Sequence, residues 1–197
     1  MLEAVSGKAH NLEVGGSIPS SATKHMYYKE LPKELLQFTK SIDYESLLKD
    51  KTGHDWCTIP ITHFLTIEGI QWFINKKIFL GPKANVFKII KNYQGPIHAE
   101  TSGTEFAINI VINGYGEMQW INNIDGTQYD STVNGSTYTR YNNVRSFNIV
   151  EVWTGTAALV KVSAPHRVVS TDVDRYCVNI RTSSPKTFEE ALELIYN

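Results

Sequence analysis

The chain has 197 residues, with 19 Lys or Arg and 20 Asp or Glu, so its net charge at pH 7 is -1. This length suits one domain with one sizeable core, and the near-zero charge argues against nucleic acid as a partner. Hydrophobic residues make up 42% and aromatic residues 11%, which excludes a disordered chain, and no apolar run approaches the length of a membrane span. Two cysteines cannot build a disulfide framework, so we expect a reducing, cytoplasmic setting.

Residues 1–25 differ in texture from the rest of the chain, because small and polar residues dominate and no apolar period persists. The codons for residues 16–19 can resemble the T-loop of a transfer RNA gene, as in the spurious peptides read from the end of such a gene. We therefore expect residues 1–25 to be a non-native or disordered leader, with the native start at Met26. The expected single domain covers residues 26–197.

The segment before residue 84 contains short predicted elements. Residues 31–38 predict a short helix with Pro32 in its first turn, and residues 44–48 predict another helical turn. Residues 55–61 predict a strand or an extended link. The apolar residues 67–74 fit a helix and a strand equally well.

From residue 84 onward, short β-branched and aromatic runs alternate with Gly, Asn, Asp and Ser clusters, which predicts an all-β sandwich or barrel. The predicted strands are residues 86–93, 97–99, 105–113, 117–121, 147–153, 157–163, 167–169 and 175–182. The polar residues 126–143 predict a long loop or loose hairpin of the kind that often covers a site. Thr187 and Glu190 have capping-box spacing and begin a predicted C-terminal helix.

Three residues have the spacing of metal ligands. In the His98-Ala99-Glu100 motif, an imidazole and a carboxylate lie on the same side of an extended strand, since side chains alternate. His166, just after another predicted strand, can add a third ligand. Two histidines and one carboxylate on one face of a metal leave positions open, as in non-haem Fe(II) oxygenases.

With these residues in place, the sequence resembles the Fe(II)/2-oxoglutarate-dependent dioxygenases, and within them the aspartyl/asparaginyl β-hydroxylase-like proteins. That superfamily has an early HxD/E motif, a distal His, and an Arg about ten residues after it; here Arg175 follows His166 by nine. Glu100 stands where Asp is commoner, and Arg175-Tyr176-Cys177 stands where Arg-x-Ser is frequent. The likeness covers roughly residues 84–182.

The resemblance implies a double-stranded β-helix, a mainly β jelly roll of the cupin-like type with flanking helices. It implies that His98, Glu100 and His166 bind iron and that Arg175 pairs with the distal carboxylate of 2-oxoglutarate. Cys177 is then expected near that carboxylate, and Asn109 is expected to face the same site. The implied activity is hydroxylation of an unidentified small-molecule or peptide substrate with O₂, in which 2-oxoglutarate is decarboxylated to succinate.

Other interpretations stay open. The chain could be a cupin-like metalloenzyme that does not use 2-oxoglutarate, or a non-catalytic β-sandwich that binds glycan or protein. Arg181 shares the alternation of Arg175 and is a weaker candidate for the same role. Three tyrosines of the polar segment could contact substrate or only anchor the segment: Tyr129, Tyr138 and Tyr141.

Overall fold

The computed structural model describes residues 26–48, 55–133 and 135–197. The expected leader, residues 1–25, lies outside the described residues. The strands are β1 (Tyr28–Glu30), β2 (Asp55–Pro60), β3 (Phe79–Ile89), β4 (His98–Glu100), β5 (Phe106–Asn113), β6 (Gly116–Val133), β7 (Ser136–Trp153), β8 (Ala157–Lys161), β9 (His166–Ser170) and β10 (Arg175–Ser184). The helices are a 3₁₀ helix (Lys33–Phe38), α1 (Tyr44–Leu47), α2 (Ile61–Phe64), α3 (Ile67–Asn75) and α4 (Phe188–Tyr196).

The strands form two antiparallel sheets. One has the order β1-β8-β5-β10-β3-β2, and the other contains β4, β7, β6 and β9. From β3 to β10 the chain passes from one sheet to the other at every connection except the β6–β7 hairpin, which stays in the second sheet. This winding is that of a double-stranded β-helix, so the predicted fold class is confirmed.

Successive side chains of β10 point alternately to the two faces of the six-stranded sheet, and each face has its own apolar cluster. Val178 and Ile180 point to the outer face of the six-stranded sheet, where they join a cluster with Phe64, Phe73 and Phe188 of the helices. The opposite face of β10 lies toward the second sheet. There a smaller apolar cluster fills part of the interior: Ala107, Met118, Trp120, Trp153, Ala158, Val160 and Val162.

Some predicted elements hold and others are corrected. Residues 67–75, for which helix and strand fitted equally, form α3, capped by the Thr66 hydroxyl that accepts from the Gly69 amide. The predicted capping box at α4 is confirmed for Thr187 and Glu190. Strand β1 was not predicted, because it has three residues and pairs only with β8. No described helix combines the length and apolar character needed to cross a bilayer.

Residues 126–143, predicted to be a long loop or a loose hairpin, form a regular hairpin, so the loop alternative is wrong. Apart from position 134, which is not described, and the turn residue Gly135, they belong to β6 and β7, which pair from Met118 and Trp153 as far as Val133 and Ser136. Thr and Tyr, which are frequent in this segment, favour strands, and cross-strand pairing supplies the stabilisation that a polar sequence does not reveal. Register shifts interrupt the ladder around Asp125, so the hairpin bends there and its outer half also pairs with β4.

Candidate metal centre

Two of the three candidate ligands lie where β4 pairs with β9. His98 begins β4 and lies directly opposite His166, the first residue of β9. Glu100 is two residues after His98 and therefore on the same face of the strand. One ligand atom from each of these three residues lies within 4.8 Å of the others, which is close enough to hold a metal ion.

Both imidazoles are oriented by the backbone. His98 Nδ1 lies 3.0 Å from the Pro96 carbonyl oxygen, and His166 Nδ1 lies 2.9 Å from the Ala164 carbonyl oxygen. A carbonyl oxygen only accepts hydrogen bonds, so each Nδ1 carries the proton and each Nε2 keeps its lone pair. Metal-ligating histidines are commonly oriented by such a hydrogen bond. In both cases the accepting carbonyl belongs to the residue two positions before the histidine.

Burial keeps these rings neutral. His166 is 3% exposed, and its burial lowers its pKa well below the usual value, with a further lowering by the His98 ring. Burial also lowers the pKa of His98, against the opposing effects of the Pro96 carbonyl and the Glu100 carboxylate. Neutral imidazole is the form that binds a metal, so neither ring has to lose a proton at neutral pH.

The Glu100 carboxylate is paired with an arginine of the opposite sheet. The Arg181 guanidinium on β10 donates to Glu100 Oε1, and the Glu100 side chain is 10% exposed. This contact balances one buried negative charge and fixes one carboxylate oxygen. Arg181, the weaker sequence candidate for the co-substrate, is thus the arginine in direct contact with the candidate ligand set.

Arg175 lies farther along the interior, at the start of β10. It is 2% exposed, and its guanidinium carbon lies 6.0 Å from the centre of the Trp153 ring. Its side chain passes close to Gly116, which pairs with Ser170 on β9. Ser170 is four residues beyond His166, roughly 13 Å along an extended strand.

The charge of Arg175 has no acidic counterpart among the described residues. The neighbouring Asp174 carboxylate instead pairs with Lys88 and accepts from the Lys91 amide. The Arg175 Nε is buried and, within the described part of the chain, lacks a hydrogen-bond partner. A buried guanidinium in this state is suited to an anionic ligand.

Cys177 and Asn109 both lie on this interior face. The Cys177 thiol is buried, which raises its pKa, while the charge of Arg175 and a hydrogen bond with it act in the opposite direction. Asn109 accepts a hydrogen bond of 2.7 Å from Asn179 Nδ2 and donates to the Met118 sulfur at 3.7 Å. No hydrogen bond described for either residue reaches the His–Glu–His group, and their predicted roles toward a co-substrate stay predictions.

Arg140 was not predicted to belong to the site, and for Tyr138 a contact with substrate and a role in anchoring its segment had both stayed open. Arg140 lies opposite His98 and Tyr138 lies opposite Glu100 in the β4–β7 ladder, so the hairpin contributes directly to the surroundings of the ligand set. The Tyr138 ring centre is 5.8 Å from that of His98. The only sequence signal was the polar composition of residues 126–143, which indicated a covering segment without identifying the contacts.

Comparisons with known proteins find similarity at the level of structure. No family model and no curated protein matches the sequence. Oxalate decarboxylase from Bacillus subtilis aligns with a TM-score of 0.34 and 11% identity over 69% of this chain and 26% of its own. Vicilin from hazelnut, Corylus avellana, aligns with a TM-score of 0.38 and 9% identity over 68% of this chain and 29% of its own.

A shorter structure is covered more fully. An RmlC-like cupin protein from Desulfovibrio desulfuricans aligns with a TM-score of 0.31 and 17% identity, over 53% of this chain and 79% of its own. This chain spans about a quarter of the oxalate decarboxylase chain that it matches. The double-stranded β-helix is assigned from the strand order itself, and the candidate site from its own geometry.

Proposed function

We propose that the protein is a non-haem Fe(II)/2-oxoglutarate-dependent oxygenase that hydroxylates a substrate with O₂ and converts 2-oxoglutarate to succinate. The observation that carries this proposal is the convergence of His98, Glu100 and His166 within 4.8 Å. Two neutral imidazoles with their Nε2 lone pairs available and one carboxylate form the donor set of the 2-His-1-carboxylate facial triad. This donor set fits iron(II).

In this proposal the protein supplies geometry and charge. His98, Glu100 and His166 would hold the metal, and iron(II) with 2-oxoglutarate and O₂ would supply the oxidation. The backbone carbonyls before each histidine keep the rings from rotating, and Arg181 restrains Glu100. Preset ligands reduce the ordering that metal binding requires.

Arg175 is the residue proposed to bind the distal carboxylate of 2-oxoglutarate. It is buried, its charge is not balanced by a described carboxylate, and it lies on the interior face of the same double-stranded β-helix as the ligand set. Cys177 lies two residues after Arg175 on the same face of β10, where its thiol would steady the guanidinium. Asn109, whose amide bonds to Asn179 and Met118 on the same interior face, is the second residue proposed to line the co-substrate site.

Succinate formation tests this proposal. The full chain with Fe(II), 2-oxoglutarate, ascorbate and O₂ should form succinate, and His166→Gln should abolish it. His63→Gln is the matched control, because His63 is exposed on α2, outside the site. Equal succinate formation by His166→Gln and the wild type would contradict the proposal.

A metalloenzyme of the same fold that does not use 2-oxoglutarate is the second candidate. It is favoured by the packing of Met118, Trp120 and Trp153, all at most 2% exposed, in the interior shared by the ligand set and Arg175. A linear dicarboxylate would have to pass beside these side chains. Metal binding that is unchanged by added 2-oxoglutarate would select this candidate.

A further inference from the structure

The outer half of the β6–β7 hairpin presents a polar face to the candidate metal centre. In the β4–β7 ladder, Tyr138 is opposite Glu100 and Arg140 is opposite His98. In the β6–β7 ladder, Ser131 is opposite Tyr138. Directly opposed residues share one face of a sheet, so Ser131, Tyr138 and Arg140 lie on the face that carries the two candidate ligands.

Arg140 brings a positive charge to this face that no described residue balances. Within residues 26–48, 55–133 and 135–197, no carboxylate lies within ion-pair distance of its guanidinium. Glu100 is paired with Arg181, and Asp130, on the neighbouring strand, accepts from the Thr139 hydroxyl.

Two buried polar atoms on this face have no hydrogen-bond partner among the described residues: Arg140 Nε and Ser131 Oγ. The Tyr138 ring lies against the guanidinium, whose carbon is 5.6 Å from the ring centre. Leaving buried polar groups unsatisfied is costly, and such groups in native structures call for a ligand or water. A guanidinium held on an aromatic ring with a hydroxyl nearby suits an oxyanion.

We propose that Arg140 and Ser131 form an oxyanion site that holds a carboxylate or phosphate group of the substrate beside the metal centre. That the molecule carrying this anionic group is the substrate rests on the proposed function. Arg140 belongs to the hairpin of the second sheet, whereas Arg175 and Cys177 belong to β10 of the first sheet. In this proposal the substrate is an anionic molecule that binds Arg140, and the co-substrate 2-oxoglutarate binds a different arginine, Arg175.

The Nε–Hε resonance of Arg140 provides a direct test in the full chain without added metal. The resonance is assigned in ¹H–¹⁵N spectra by its disappearance in Arg140→Gln. Titration with sodium acetate or with inorganic phosphate should shift this resonance saturably, and the better probe indicates which oxyanion geometry the site takes. If neither anion shifts the resonance saturably, the oxyanion site is wrong.

Two variants and one control define the contribution of each residue. Arg140→Gln should weaken anion binding about tenfold or more, and Ser131→Ala about threefold, because charged hydrogen bonds contribute more than neutral ones. Arg145→Gln is the matched control on the same strand, because Arg145 is 80% exposed and pairs with Asp125. If Arg140→Gln fails to fold, Arg140→Lys, which also lacks the guanidinium Nε–Hε group, provides the assignment, and the titrations of the wild type and Ser131→Ala still decide. Unchanged affinity in Ser131→Ala would exclude the hydroxyl from the site.

A final titration distinguishes substrate from co-substrate. The protein is saturated with Co(II) and 2-oxoglutarate, and the titration with the better anion is repeated. We expect the Arg140 site to bind that anion still, within about threefold of its earlier affinity. Competitive displacement by 2-oxoglutarate would assign Arg140 to the co-substrate and overturn the proposal. Failure of Co(II) to bind would instead contradict the proposed function, while the metal-free titration would still report on the oxyanion site.

Discussion

The Arg181 guanidinium on β10 donates to the Glu100 carboxylate on β4, joining the two sheets at the candidate metal centre. Oε1 of Glu100 therefore accepts from an arginine, and no hydrogen bond to Oε2 occurs within the described part of the chain. The ion pair can orient the carboxylate for a metal. The positive charge of Arg181 also repels a metal cation bound nearby. Which effect is larger is a measurable property of the site.

We expect orientation to be the larger effect. Arg181→Met should weaken Co(II) binding about tenfold, which is within the range for residues that orient metal ligands. Co(II) affinity measured by visible absorption checks this, with Arg145→Met as the surface control. Tighter Co(II) binding by Arg181→Met would show that the arginine competes with the metal.

Removal of a candidate ligand should have a larger effect. His98→Gln and His166→Gln should each weaken Co(II) binding by at least about a hundredfold, beyond the loss typical of an orienting residue. His63→Gln should bind Co(II) as the wild type does, since His63 is exposed on α2. Calorimetry of the three variants provides the comparison. Equal losses in all three would remove the reason to assign the metal to this group.

Gly116 makes room for Arg175. A Cβ at position 116 would lie 2.7 Å from Arg175 Cδ and 2.7 Å from the Val169 carbonyl oxygen, closer than real Cβ contacts. Gly116→Ala should therefore displace Arg175 and weaken 2-oxoglutarate binding about tenfold, while Co(II) affinity in the absence of 2-oxoglutarate is retained. Gly135→Ala is a control in open space, although its positive φ adds some strain. Unchanged 2-oxoglutarate affinity in Gly116→Ala would argue against Arg175 as the anchor.

The Cys177 thiol should make stability depend on pH in the alkaline range. Its burial raises its pKa in the folded protein, so the unfolded chain loses the thiol proton first as the pH rises. The stabilisation is fully present below about pH 8.5, the ordinary thiol pKa, and is lost as the pH rises toward the folded value. Urea unfolding at pH 7.5 and 9.5 should show a larger decrease for the wild type than for Cys177→Ala. Equal decreases would show that the folded thiol titrates normally.

The sequence supports prediction where local pattern determines structure. Side chains alternate along a strand, so His98 and Glu100 were predicted to share one face of their strand. For the same reason Arg175 and Cys177 were predicted to share one face of theirs. The capping box of α4 is equally local, since Thr187 and Glu190 satisfy each other's backbone amides. The order and number of β-rich runs predicted an all-β sandwich or barrel, and the double-stranded β-helix was implied by the resemblance that His98, Glu100, His166 and Arg175 carry.

Features that depend on long-range pairing were not predictable. The extension of β6 and β7 through residues 126–143 depends on pairing with each other and with β4, which composition does not reveal. Arg175 and Arg181 share one face of β10, and only the packing of the two sheets determines that Arg181 reaches Glu100. The position of Arg140 opposite His98 is likewise a consequence of register between strands 42 residues apart (140 − 98).

The most direct test of the central claim is an anaerobic titration of the full chain with Fe(II) in the presence of 2-oxoglutarate. Chelation of 2-oxoglutarate by iron held at His98, Glu100 and His166 predicts a weak visible charge-transfer band that saturates with Fe(II). The band should be absent in His166→Gln and should require more 2-oxoglutarate in Arg175→Gln. No band in the wild type, or an undiminished band in His166→Gln, would contradict the assignment.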